Sequence, residues 1–306
     1  MIVLIISSIF AILFCGTFLF AYFKSKGNYD EYIESLSKSD YALKDFFPIG
    51  IWFNETFDLK KFLPKKLESI LYKYSANVKS KITEIYGVKY SDYYCVIHNA
   101  NKTSMALLVA AGSSLFALLM AFNKDSNAKL FLAIAIVGLF AMPFVVDKGL
   151  DDKIEKRRLA IQLEFPDFIS KLTLLVNAGM TISKAWEKIV VDNTKDSILY
   201  NEMSYTLSEI SAGKPEAVAY EEFGRRCKIK EIIKFVSVII LNLKKGGAEV
   251  VPVLKVQGDE CWEMRKNAAK KLGEEASTKI LIPLMIMFIG IIVIVVTPAI
   301  LSISGM

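Results

Sequence analysis

The sequence predicts an all-α membrane protein, with four transmembrane helices and a cytoplasmic antiparallel six-helix bundle. Three observations carry that expectation. Four apolar stretches, 1–23, 104–122, 130–146 and 280–303, contain no charged residue. The polar remainder has helical spacing and helix punctuation, and no segment alternates with period two. Of the 38 Lys and Arg residues, 13 fall in 24–103, two in 123–129 and 23 in 147–279. Four crossings therefore gather nearly all basic charge on one side. Lys and Arg near span ends stay cytoplasmic, so the N-terminus, the 123–129 loop and the C-terminus are expected outside.

Composition agrees. The mean hydropathy of +0.38 and an apolar content of 53% exceed those of an ordinary soluble chain. Segment 147–279, by contrast, carries 23 basic and 21 acidic residues and is long enough for its own core. The net charge of +6 arises mainly beside the membrane. It reads as solvated helix faces near anionic lipid, not as a nucleic-acid surface.

Residues 1–23 form the first span. They have no basic n-region and no small-residue cleavage site follows, so a retained anchor is expected, not a signal peptide. Segment 24–103 reads as mostly helical and cytoplasmic. Within it, Leu67, Ile70, Leu71, Tyr74, Val78 and Ile82 lie near helical spacing, and Gly87 suits a helix end. A second helix starts near Ser91 and runs toward the next span. The aromatic, Pro- and Gly-punctuated stretch 46–57 suits a membrane interface. Spans 104–122 and 130–146 form a hairpin, because only seven residues separate them.

Segment 147–279 divides into helices. Phe165, Phe168, Ile169, Leu172, Leu175 and Val176 make one stripe, beginning beside Pro166 and Asp167. Pro suits a first helical turn and Asp complements the positive helix end, so a helix is expected to open there. Ala178-Gly179 ends it. Thr181 or Ser183 caps the next, which carries Ala185, Trp186 and Ile189. A third helix runs from about 196 to 211 and stops at Gly213; Pro215 and Glu216 open a fourth. The apolar stretch 228–245 is too short to cross a bilayer and reads as a central buried helix, with Ile229, Ile232, Ile233, Val236, Ile240 and Leu243 on one face. Gly246-Gly247 breaks the chain before a long helix from about 250 to 276. Only 277–279 then separate that helix from span 280–303.

The order of these features resembles a known family. Glu164-Phe165-Pro166-Asp167, the Ala178-Gly179 turn, Ala185-Trp186 and Gly213-Lys214-Pro215-Glu216-Ala217 come in sequence. Lys244-Lys245-Gly246-Gly247 and a long charged helix running into a span with Pro283 and Pro298 complete it. Over about 160–303 the chain is similar to the F domain of type II secretion and type IV pilus platform proteins (GspF/PilC-like). The Tad-pilus pair TadB and TadC fits best, and the three preceding spans lean toward TadC. The resemblance implies a non-enzymatic protein of the bacterial inner membrane, without cofactor or metal. Its implied partners are a hexameric secretion ATPase, a sister F-domain membrane protein and pilin subunits, besides the lipid bilayer itself. It implies a homo- or hetero-oligomer and no nucleic acid. F proteins of general secretion carry two copies of the domain; segment 24–103 lacks the Pro-Asp opening and the Ala-Gly turn, so one copy is expected here.

The residues argue against other classes. A small-solute transporter usually places ionisable groups within its spans, and these four have none. A membrane sensor needs an external domain, and the expected outward parts are a short loop and two tails. Gly246-Gly247 lacks phosphate-loop spacing, and the adjacent acids Glu221-Glu222 and Glu274-Glu275 do not face one another on a helix. Two basic pairs at helix ends, Arg225-Arg226 and Lys244-Lys245, either complement helix dipoles or form a cationic face that docks the ATPase. Pro166, Asp167, Gly179, Gly213, Pro215, Gly246, Gly247, Pro283 and Pro298 are read as architectural.

Overall fold

The computed structural model describes residues 2–37, 41, 43–57, 65–122, 128–194, 196–245 and 250–304. Among these residues there are eleven α-helices, one 3-10 turn and no strand. Four helices are long and apolar enough to cross a membrane. Gly246 and Gly247 lie outside the described residues, as do the side chains of Lys244 and Lys245. The chain divides into two compact units, 1–155 and 156–306.

The first unit contains α1 (Ile2–Ser25), α2 (Asp30–Glu34), the 3-10 turn Lys44–Phe46, α3 (Phe47–Thr56), α4 (Lys65–Tyr86) and α5 (Ser91–Phe122). It also holds the first part of α6 (Ala128–Asn177). The aromatic stretch expected at an interface is helical. α3 starts with Pro48 in its first turn and buries Phe47, Ile49 and Ile51 against α1 and α5. Ile49 packs with Ala21 and Leu107, level with the end of the first span and the start of the second. Glycine is required at position 50: a Cβ there would stand 2.1 Å from the carbonyl oxygen of Ala100. Ser104 Oγ donates to the Phe46 carbonyl at 2.8 Å and fixes the entry to α3. α5 and α6 pack closely where Gly138 passes Val109, and Phe116 stacks on Phe131 at 5.9 Å.

The second unit is a six-helix bundle. It is built from the end of α6 with α7 (Ile182–Val191), α8 (Ile198–Ser211), α9 (Glu216–Cys227), α10 (Lys230–Lys245) and the start of α11 (Val250–Ser304). Short connections keep consecutive helices adjacent, so α8 packs on α9, α9 on α10 and α10 on α11. Gly179 and Gly213 adopt φ of +94° and +95° as they terminate α6 and α8, which glycine does without a Cβ clash. Thr181 caps α7, and Ser197 caps α8 by accepting from the Tyr200 amide.

Two expectations change. No helix opens at Pro166: α6 passes through it unbroken from Ala128. Proline forfeits one backbone hydrogen bond inside a helix. The complete burial of Phe165, Phe168, Ile169 and Leu172 on one face holds the helix through that position. Asp167 therefore meets no helix N-terminus; its carboxylate takes Arg265 instead. The buried face of α10 also differs. Ile229, Ile232, Phe235, Val236 and Ile239 are buried, while Ile233 and Leu243 are exposed. The aromatic core decides this rotation, since Phe235 lies edge-on to Phe165 at 5.3 Å and to Phe168 at 5.7 Å.

Candidate functional site

Trp186 is the hub of the bundle. It is fully buried and touches Phe168, Tyr220 and Phe223 at centroid distances of 5.0, 4.9 and 5.1 Å. α6, α7 and α9 therefore lock around one ring. Burial raises the Tyr220 hydroxyl and the Cys227 thiol each to about 12, which keeps both neutral.

An ion network joins α6, α8 and α9 at the edge of this core. Arg226 donates from Nε to Glu202 at 2.7 Å, from Nη1 to Glu209 at 3.2 Å and from Nη2 to Thr206 Oγ1 at 2.7 Å. Its guanidinium also lies over the Tyr205 ring at 4.7 Å. Arg157 reaches Glu202 from α6 at 2.6 Å. Lys214 joins Glu209 at 2.7 Å and also pairs with Glu222, and these carboxylates hold its ammonium above the ordinary lysine value.

The two adjacent arginines are thus separated in role. Arg226 is committed inward, with its side chain 23% exposed, whereas Arg225 is 72% exposed and pairs with Glu221 one turn away. Sequence reasoning does not single out Arg157, Glu202 or Glu209. A signal exists for two of them: Glu202, Thr206 and Glu209 follow i, i+4, i+7 spacing and share one helix face. Nothing local points to Arg157.

α11 runs from this bundle into an apolar stretch long enough to cross a membrane. Leu254, Gln257, Cys261, Met264 and Ala268 form its buried stripe, at alternating spacings of three and four. Arg265 Nη1 pairs with Asp167 at 2.7 Å, and its guanidinium stacks over Trp262 at 4.9 Å. The same helix then runs on, with no interruption at 277–279, through an apolar stretch in which Ile280–Val296 are exposed throughout. Pro283 and Pro298 both lie inside it. Fifty-five residues at ~1.5 Å rise give this helix a contour length of about 80 Å.

Residues 168–298 match the family model described as type II secretion system (T2SS), protein F. Over this stretch the chain is similar to protein F of type II secretion systems. The matched residues include the aromatic hub, the ion network except Arg157, and the uninterrupted passage of α11 into its apolar stretch. Pro166 and Asp167 lie just ahead of the matched residues. No curated protein and no solved structure matches the chain at a significant level. Among the described residues, no group of three or more His, Cys, Asp or Glu side chains could hold a metal ion.

Proposed function

We propose that this chain is an inner-membrane platform of a Tad-like pilus or related type II secretion machine. It couples a cytoplasmic secretion ATPase to extraction of pilin subunits from the bilayer and their assembly into a filament. The similarity to protein F supports the class of machine. The observation that carries the coupling is α11, which is packed in the bundle core at one end and apolar and charge-free at the other. An unbroken helix transmits displacement along its axis. A push or rotation delivered to the bundle therefore moves the span directly.

The ATPase supplies energy and the platform supplies none, so the platform needs a grip and a lever. Arg225 is the exposed cation best placed for the grip, because its neighbour Arg226 is consumed by the α8 carboxylates. Charge at such a rim steers and orients association more than it tightens it. A sister F-domain protein completes the assembly.

Affinity purification of the tagged full chain from its native membrane tests this reading. A secretion ATPase and a second F-domain protein are expected to co-purify, and deletion of the chain is expected to abolish filaments. Normal filaments after deletion, or solute flux through the purified chain in vesicles, would contradict it.

A further inference from the structure

The first half of α4 carries exposed apolar and aromatic side chains. Ile70, Leu71, Tyr72 and Tyr74 are 64%, 37%, 75% and 40% exposed. The second half behaves differently: Val78 and Ile82 are buried and pack with Leu150. The exposed apolar side chains thus lie beyond the buried half of the helix.

The polar contacts of Tyr74 fix where this happens. Its hydroxyl donates to Asp147 and accepts from Lys102 Nζ at 2.8 Å; Lys102 also pairs with Asp147 at 2.5 Å, and His98 Nε2 meets Asp147 at 2.9 Å. Lys102 stands two residues before the apolar run 104–122, and Asp147 immediately follows the apolar run 130–146. The two charges therefore mark one membrane surface, and Tyr74 is tied to both. Going toward its C-terminus, α4 moves away from the spans: Lys81 pairs with Asp151 at 2.6 Å, and Tyr86 stacks on Tyr94 at 3.5 Å. Going toward its N-terminus, α4 must then approach the bilayer, and Ile70 lies one turn, about 6 Å, beyond Tyr74.

We infer that residues 65–74 of α4 lie in the headgroup region of the bilayer and bind anionic lipid. Ile70 and Leu71 enter the acyl boundary, and Tyr74 sits at the interface where aromatic residues concentrate. Lysines at 60, 61, 65, 66 and 73, against acids at 58 and 68 only, give this stretch of chain its attraction for anionic headgroups. The cluster of Tyr74, Lys102, Asp147 and His98 is the clasp that holds the helix at that depth. This surface belongs to the first unit, and the inference does not depend on the proposed function.

The full chain reconstituted in phosphatidylcholine vesicles, with or without phosphatidylglycerol, tests the inference. A polarity-sensitive fluorophore is placed on Ile70→Cys, and on Val88→Cys as a control, because Val88 is 80% exposed beyond the far end of α4. The background carries Cys15→Ala and Cys95→Ala, since Cys227 and Cys261 are buried. With phosphatidylglycerol, the probe at 70 is expected to be quenched by spin-labelled lipid. Its quenching by aqueous iodide should be at least about threefold weaker than at 88, as for an interfacial helix. Lys73→Glu or removal of phosphatidylglycerol should reduce that protection. Iodide quenching equal at the two positions overturns the inference. So does protection at 70 without lipid quenching, which would mean a protein cover, and so does protection indifferent to lipid charge. Should the cysteine background fail to insert, a photo-crosslinking amino acid at 70 in the native chain separates the same outcomes: lipid adducts support the inference, and protein adducts alone refute it.

Discussion

Arg265 Nη1 stands 2.7 Å from Asp167 Oδ1, fastening α11 to α6 across nearly a hundred residues of chain. Both side chains are partly exposed, at 35% and 47%, so solvent screens the pair. The pair sets register more than it supplies strength. Asp167→Asn is expected to cost under about 1 kcal/mol in chemical denaturation. Leu254→Ala or Met264→Ala, which open the buried stripe of the same helix, should cost about 2–5 kcal/mol. A larger loss from the Asp167 variant than from either truncation would mean that electrostatics, not packing, seats α11.

Arg225 and Arg226 are adjacent, yet opposite outcomes are expected of them. Arg226→Ala removes the cation between Glu202 and Glu209 and should destabilise the bundle by about 2–3 kcal/mol, discounted for partial exposure. Arg225→Glu should leave thermal unfolding unchanged within about 0.5 kcal/mol, because it disturbs only an exposed pair within one helix. If Arg225→Glu also leaves ATPase co-purification intact, the docking role of Arg225 is wrong.

Gly50→Ala should dislodge α3. The added methyl would fall 2.1 Å from the Ala100 carbonyl oxygen, which belongs to helix backbone and yields little. Overpacking of this kind costs about 3 kcal/mol or more. Limited proteolysis of the reconstituted protein is expected to cut within 43–57 faster than in the parent chain. Unchanged protection would show that α3 and α5 are not pressed together.

Cys227 reports on the bundle. Burial holds its thiol up at about 12 in the folded protein, against an ordinary 9.0. The raised value favours the protonated form, so this contribution to stability is complete below about 9 and is lost as pH rises toward about 12. Alkylation at pH 8 should therefore be negligible until denaturant unfolds the bundle. Cys227→Ala should flatten the alkaline fall in stability. Rapid labelling under native conditions would contradict the burial.

Much of the fold is legible in the sequence because helix punctuation is local. Gly179, Thr181, Gly213 and Pro215 stop and start helices by their own backbone and side-chain chemistry, and the structure keeps each in that role. Pro166 misleads for the same reason. Its local preference for a helix start loses to long-range burial of Phe165 and Phe168, which no short window contains. The rotation of α10 depends likewise on which partner rings meet Phe235. Of the candidate site, charge at 225–226 is visible in the sequence, but its division into one inward and one outward residue is not. That division comes from Glu202 and Glu209 on another helix. The clasp around Asp147 is equally hidden, because Tyr74, Lys102 and Asp147 come from three separate helices.

Motion passes from the bundle to the span, on this reading, because α11 is one unbroken helix. Inserting a flexible Gly-Ser segment after Ala276 and scoring filament assembly tests it most directly, with an Ala-rich helical insert of equal length as control. The flexible insert is expected to abolish filaments while membrane insertion and ATPase co-purification persist. Filaments retained with the flexible insert would contradict the coupling.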